Sequence, residues 1–221
     1  LIISKIIFKR KKITLPYVES LVEDSIKKLK INCLYGLLFH RINDLKGSKG
    51  KRILSFLLKL KKKGKIKKIG VSINAPDDIR IFYNKYPIDI VQLPINVFDQ
   101  RLISSGWITK LQKKKIEIHA RSIFLQGILL MNVSHLPKFF HQFKQKFIEW
   151  ENWLRKNNLS KINACLNFIL NLKIDKIIVG VDKGQDLAQI INFKKNRKKL
   201  DFSSLSSREI KLIYPKLWKE K

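Results

Sequence analysis

Six apolar runs in this chain each stop at residues that can do chemistry. LIIS is followed by Lys5 and LYGLLF by His40 and Arg41; KKIGVS ends in Ser72, with Asn74 close behind. DIVQLPIN carries Gln92 and Asn96, IEIHARS closes on Arg121 and Ser122, and KIIVGV leads through Gly180 and Val181 to Asp182 and Lys183. A neutral imidazole can donate one hydrogen bond and accept another, while ammonium and guanidinium groups stabilise developing negative charge. Taken singly, each has a structural use. A Lys after a strand is a solvated end, a Ser before a loop caps a helix, and a His at an apolar strand end is a satisfied core group. Taken together they mean more if the runs are parallel strands, because their C-terminal ends then converge on one rim.

The elements that would position them are legible in the pattern. Runs without a polar face are strands covered on both sides, and amphipathic segments separate them. Val18, Leu21, Val22, Ile26 and Leu29 share a helical face behind Pro16, and Ile53, Leu57 and Leu60 stand in register before Gly64, which suits a C-terminal cap. Strand ends near residues 5, 40, 72, 96, 122 and 181 have the spacing of βαβ units, so the fold class is α/β with a parallel sheet. No G-x-G-x-x-G follows the first strand, and GSKGKR near residue 47 reads as a turn and helix start. One domain over residues 1–221 then fits a parallel (β/α)8 TIM barrel, here lacking about the first two strands, since a full barrel needs about 250 residues. The opening on Leu1, already strand-like, gives the same expectation of a missing N-terminal part. Residues 136–158 break the rhythm. Phe139, Phe140, Phe143, Phe147, Trp150 and Leu154 recur at helical spacing there, and Glu149 and Glu151 beside Trp150 favour an extra helix packed on the core over one lying on a membrane.

A net charge of +30 raises nucleic acid as a partner. Against a specific site, nine of the 47 basic residues are Arg, the better bidentate reader, and lysines fall on every expected helix. Abundant Ile and Asn with only four Ala are what A+T-rich codons produce, so the charge is read as drift, with no specific nucleic-acid partner. No apolar run reaches the roughly 18 residues of a membrane span, and LIISKIIFKRKK lacks the features of a leader. Cys33 and Cys165 lie in apolar stretches, as buried thiols of a reducing compartment do. The expectation is a cytoplasmic protein with no membrane partner and no metal.

YGLLFHR, KKGKIKKIGVSIN, DIVQLPINVFDQRLISSGW, EIHARSIFLQGILLM and KIIVGVDKGQDL, in that order, resemble the aldo-keto reductases. LDFSSL and LIYPKLW resemble the end of a bacterial branch of that superfamily, so the likeness spans essentially the whole chain. The resemblance implies a (β/α)8 barrel that binds NADPH or NADH without a Rossmann motif and transfers hydride between nicotinamide and a small carbonyl or sugar-like substrate. Of the family's Asp, Tyr, Lys and His, ISK places the lysine at Lys5 and LLFHR the histidine at His40. Asp and Tyr precede the ISK strand in relatives, which gives the expectation of an inactive fragment. By the same resemblance Ser72 and Gln92 hold the nicotinamide carboxamide, while Ser122 and the backbone through Gln126 and Gly127 line the pyrophosphate. Gly180, Val181 and Lys183 meet the adenosine phosphate region, Lys183 as a point charge for a 2′-phosphate. The chain departs from the pattern twice: Arg121 stands where many relatives stack an aromatic ring, and Ile73 where an Asn commonly follows the serine. The alternative reading is a non-catalytic cofactor-binding remnant or a basic nucleic-acid-associated protein, and the oligomeric state stays open.

Overall fold

The computed structural model describes residues 1–8, 13–193 and 200–218. Its strands are β1 (Ile3–Ile6), β2 (Leu34–Phe39), β3 (Ile66–Ser72), β4 (Ile90–Pro94), β5 (Glu117–Arg121) and β6 (Lys176–Ile177), forming one sheet in sequence order. The paired registers are parallel. The helices are α1 (Leu15–Lys28), α2 (Gly47–Lys62), α3 (Arg101–Ser104), α4 (Trp107–Lys113), α5 (Lys144–Asn157), α6 (Lys161–Leu170), α7 (Gly184–Ile191) and α8 (Ile210–Ile213). The α/β class with parallel strands is therefore as the sequence implies. The chain divides into two compact units, the first Leu1–Leu93 with Trp107–Ile118, the second Pro94–Gly106 with His119–Lys221.

In the first unit α1 buries Val18, Val22 and Ile26, and α2 buries Ile53, Leu54, Leu57 and Leu60. Each such side chain contributes about 1.5–3 kcal/mol when fully buried. Thr14 Oγ1 accepts from Tyr17 N at 3.3 Å and starts α1, with Pro16 in the first turn. Leu29 falls off the expected face: α1 ends at Lys28, and Leu29, now its cap, is 45% exposed. β1 begins two residues later than LIIS suggests and runs through Lys5.

The N-terminal ends of these strands are held by ion pairs. Lys61 Nζ donates to Asp89 Oδ2 at 2.6 Å, the same oxygen that accepts from Ile69 N at 2.8 Å. Glu117 Oε2 accepts from Tyr35 Oη at 2.8 Å and from Lys68 Nζ, whose ammonium also lies 5.1 Å from the Tyr35 ring centroid. The hydrogen bond to Glu117, then that to Tyr35, holds the Lys68 pKa above its ordinary value. A raised lysine pKa stabilises the fold below the unfolded value and stops doing so as pH climbs through the folded one. Lys68→Met is expected to cost about 1–3 kcal/mol at neutral pH. The deficit should persist to about pH 10 and shrink above it. Urea unfolding of both proteins from pH 7 to 11 measures this, and a deficit that shrinks between pH 6 and 8 would assign it to another group.

In the second unit the aromatic segment packs inward. Phe140, Phe147, Trp150 and Leu154 are buried, Trp150 Nε1 donates to Leu129 O at 3.1 Å, and Phe98 meets Phe147 and Trp150 edge-on at 5.5 and 6.4 Å. Residues Lys138–Phe143 wind as a 3-10 helix and only Lys144–Asn157 as α5, a difference that apolar spacing over six residues cannot resolve. α6 starts at Ser160, whose Oγ accepts from Asn163 N at 3.2 Å, and buries Cys165, whose thiol burial pushes up in pKa. β6 is shorter than KIIVGV: it pairs with His119 and Ala120 and keeps one more bond, Ile178 N to Ala120 O at 2.8 Å. Ile178 and Val181 beyond it are 38% and 39% exposed, so the apolar run outlasts the pairing.

Candidate active site

Two glycines reveal which side chains share a face in the first unit. A Cβ on Gly36 would come within 2.8 Å of Ile90 Cδ1 and 3.3 Å of Ile3 Cγ1, and one on Gly70 within 2.8 Å of Ile90 Cβ and 3.0 Å of Leu38 Cγ. Ile3, Gly36, Leu38, Gly70 and Ile90 thus line one side of the sheet, where the glycines leave room for their neighbours. Strand side chains alternate with period two, so counting forward puts Lys5, His40, Ser72 and Gln92 on that side at the C-terminal ends of β1 to β4. The register agrees. Lys5 pairs with Leu38, His40 N donates to Ile6 O at 3.2 Å, and Ser72 pairs directly with Gln92.

Burial divides the four. Lys5 and His40 are exposed, and His40 is no core residue. Ser72 and Gln92 are 6% and 4% exposed, beneath the rim on adjacent strands. A hydroxyl and a side-chain amide held side by side offer both donors and acceptors to a flat carboxamide. Ile73, between them and the loop, is buried and donates its N–H to Gln92 O at 2.9 Å, so the departure from Asn is filled by core packing.

Asp44, one turn beyond His40, was not among the expected residues. Its Oδ2 is buried without a hydrogen bond among the described residues. Burial raises its pKa, and the charges of Arg41, Lys49 and His40 pull it back. A carboxylate in sight of an imidazole and a guanidinium adds an acid to this rim.

In the second unit the strand ends lead into a strained loop. Arg121 Nη1 donates to Ser122 Oγ at 3.2 Å; burial lowers the guanidinium pKa, offset by Tyr214 and Asp99. Ser122 has φ 58°, and Leu125, Gln126 and Gly127 follow with φ 47°, 55° and 84°. Left-handed backbone costs a non-glycine residue about 1–2 kcal/mol, so three such residues within five positions mark a loop whose shape the surrounding contacts must hold. Asn96 does much of the holding. It is 1% exposed, its Oδ1 accepts from Phe98 N at 3.0 Å and Asp99 N at 2.9 Å, and its Nδ2 donates to Ser122 O at 3.2 Å. The signal was present as Asn-x-x-Asp at a strand end, an Asx-turn spacing. Asn96→Ala should cost about 2–4 kcal/mol, because it strands buried donors and an acceptor. Chemical denaturation at neutral pH checks this, and a loss under half a kilocalorie would mean that the turn is held without it.

Gly180, Val181 and Lys183 are exposed between β6 and α7. Lys183 is the N-cap of α7, so its charge stands beside the helix's unpaired N–H groups. A Cβ on Gly180 would meet nothing within 4 Å, so no packing demand explains that glycine.

Residues 5–210 match the Aldo/keto reductase family model. Among solved structures, the holo form of aldo-keto reductase AKR11C1 from Bacillus halodurans superposes with a TM-score of 0.70 at 15% identity, over 88% of this chain and 68% of that one. Glycerol dehydrogenase AKR11B4 from Gluconobacter oxydans gives 0.67 at 19% identity, over 96% of this chain and 72% of the other. No curated protein matches significantly by sequence. No helix among the described residues is long and apolar enough to cross a membrane. A family model matched over nearly the whole described chain, on a fold of parallel strands in sequence order, shows that the chain belongs to the aldo/keto reductase family.

Proposed function

We propose that the protein binds NADPH or NADH and serves carbonyl reduction, with Lys5 and His40 at the substrate and Ser72 and Gln92 at the nicotinamide. The observation that carries this reading is the shared face: two exposed ionisable groups and two buried neutral polar groups at consecutive strand ends. When bound, the nicotinamide supplies the hydride. His40 then donates a hydrogen bond to the carbonyl oxygen and fixes the carbonyl's orientation. Lys5 places a positive charge where negative charge develops. In the second unit, Ser122, Gln126 and Gly127 offer a hydroxyl and loop N–H groups to phosphates, Arg121 offers a guanidinium, and Gly180, Val181 and Lys183 take the adenosine end through the start of α7.

Titration with NADPH, followed by tryptophan fluorescence and calorimetry, tests cofactor recognition directly. Saturable binding that Ser72→Ala or Gln92→Ala weakens is the expected result. A basic nucleic-acid-associated protein would instead bind NADPH, DNA and polyphosphate alike and lose all three as salt rises.

A further inference from the structure

The end of the first unit remote from Lys5 and His40 carries a feature that carbonyl reduction does not use. Helices α1, α2 and α4 end where the parallel strands begin, and the runs KKLK (27–30), KLKKKGKIKK (59–68) and KKK (113–115) stand at those ends. In sequence these lysines look scattered over separate helices. The fold gathers them on one face. Cross-links fix their proximity: Lys65 Nζ lies 3.2 Å from Glu23 Oε1, Lys61 Nζ 2.6 Å from Asp89 Oδ2, and Lys68 pairs with Glu117. Lys114 Nζ donates to Tyr83 O at 2.7 Å and Asn84 Oδ1 at 2.8 Å.

The same bonds decide the charge of the face. Glu23, Asp89 and Glu117 are each engaged by a lysine of the run 59–68, so they offset none of the others. Asp24 adds one further carboxylate, while the remaining lysines of the three runs are all exposed. A helix C-terminus favours a cation or two in its last turn. Runs of three, seven and three lysines, brought together from the ends of three helices and the turns after them, exceed that and repel one another.

We infer that this face docks the protein on an anionic lipid surface. The three runs contain no Arg, the residue that reads bases and single phosphates bidentately. Two tyrosine rings at this end are occupied: the Lys114 ammonium lies 4.0 Å from the Tyr83 ring centroid and that of Lys68 lies 5.1 Å from the Tyr35 ring centroid, while their hydroxyls bond Lys110 O and Glu117. The runs thus offer no Arg for base readout, and these two rings are already engaged and do not serve nucleic acid as stacking platforms. Compact ammonium groups on long flexible stems match a field of mobile phosphate headgroups, where each lysine strengthens binding about fivefold. Leu29, 45% exposed at the same end, adds an apolar contact. Docking there leaves the C-terminal ends of β1 to β4, with Lys5 and His40, on the side away from the lipid.

The test is flotation of the protein with vesicles of 40% phosphatidylglycerol in phosphatidylcholine, or of phosphatidylcholine alone, at about 0.1 M salt. The protein should float with the anionic vesicles and not the neutral ones. Lys62→Glu/Lys63→Glu/Lys67→Glu should weaken this by about a hundredfold or more. An equal charge change on exposed lysines of the second unit, Lys138→Glu/Lys144→Glu/Lys156→Glu, should weaken it by less than about tenfold. Lys62→Arg/Lys63→Arg/Lys67→Arg should retain binding. Thermal unfolding monitors each variant; should the reversal unfold the protein, Lys62→Gln/Lys63→Gln/Lys67→Gln takes its place, with a loss of about tenfold or more. Equal losses in the two charge-matched triple variants would reduce the effect to net charge and overturn the proposal. So would no flotation, or tighter binding to a DNA or RNA oligomer than to the vesicles at matched phosphate concentration.

Discussion

Residues 1–221, mixed with NADPH and a panel of small aldehydes, are expected to oxidise it at a rate roughly 10²–10⁴ below that of an ordinary carbonyl reductase. A carbonyl that accepts hydride must also gain a proton, and the family delivers it from a tyrosine whose pKa the neighbouring lysine lowers. Lys5 and His40 stand exposed at the ends of β1 and β2. Tyr35 is on β2 itself, but its hydroxyl donates to Glu117 at the opposite end of the strand from His40. The Tyr83 hydroxyl donates to Lys110 O at 3.2 Å. The resemblance places the family's own Asp and Tyr ahead of ISK, so these 221 residues are proposed to bind cofactor without efficient proton delivery. Fusing a family member's Asp- and Tyr-bearing strands ahead of Leu1 should recover the rate. In that fusion His40→Ala should lower kcat and leave nucleotide affinity intact, because His40 acts on the carbonyl in the transition state. Fast turnover by the 221 residues alone would transfer the donor role to another group, with Tyr17 in the first turn of α1 the next to test.

The fold was legible because strands buried on both faces leave an unusual trace. LYGLLF, KKIGVS and DIVQLPIN are runs buried for most of their length, and β2, β3 and β4 follow them, β4 stopping at Pro94, two residues short of the expected end. Where burial was incomplete the reading slipped, as in KIIVGV, whose composition says strand for longer than β6 finds a partner. The rim was legible for a different reason: a charged or amide side chain ending an apolar run has to be explained by position. Asp44, and the part that Asn96 plays, were hidden because their importance is relational. Asp44 is an ordinary surface acid in sequence and becomes notable only when Oδ2 is enclosed near Arg41 and His40. Asn96 was visible as a polar strand end, but its bonds to Phe98, Asp99 and Ser122 depend on how the chain turns after β4. The lysines show the same limit from the other side. Scattered along the sequence they argue for composition alone, and only the common direction of α1, α2 and α4 collects them.

Lys183→Ala is expected to weaken NADPH by about 1–2 kcal/mol, roughly a tenfold loss, while leaving NADH nearly unchanged. The two nucleotides differ only in the 2′-phosphate, so the difference between their losses isolates that group from everything else the cofactor touches. The proposal that Lys183 serves it rests on its position: exposed, extended in backbone, and capping α7, where N–H groups of the first turn favour an anion. Lysine is a point charge without Arg's fork, and for that reason the expected effect is a single charge-assisted contact. General attraction by a chain of net charge +30 must be separated from this. Background attraction collapses with salt and ignores any one lysine, whereas a specific contact keeps its NADPH-over-NADH difference as salt rises from 0.05 to about 0.2 M. Lys176→Ala, the same charge change at the exposed start of β6, is the control. Calorimetric titration of the protein and both variants with both nucleotides at two salt concentrations gives the comparison. Equal weakening of NADPH and NADH by the Lys183 change would remove it from the phosphate site, and an equal effect from Lys176→Ala would assign the preference to net charge.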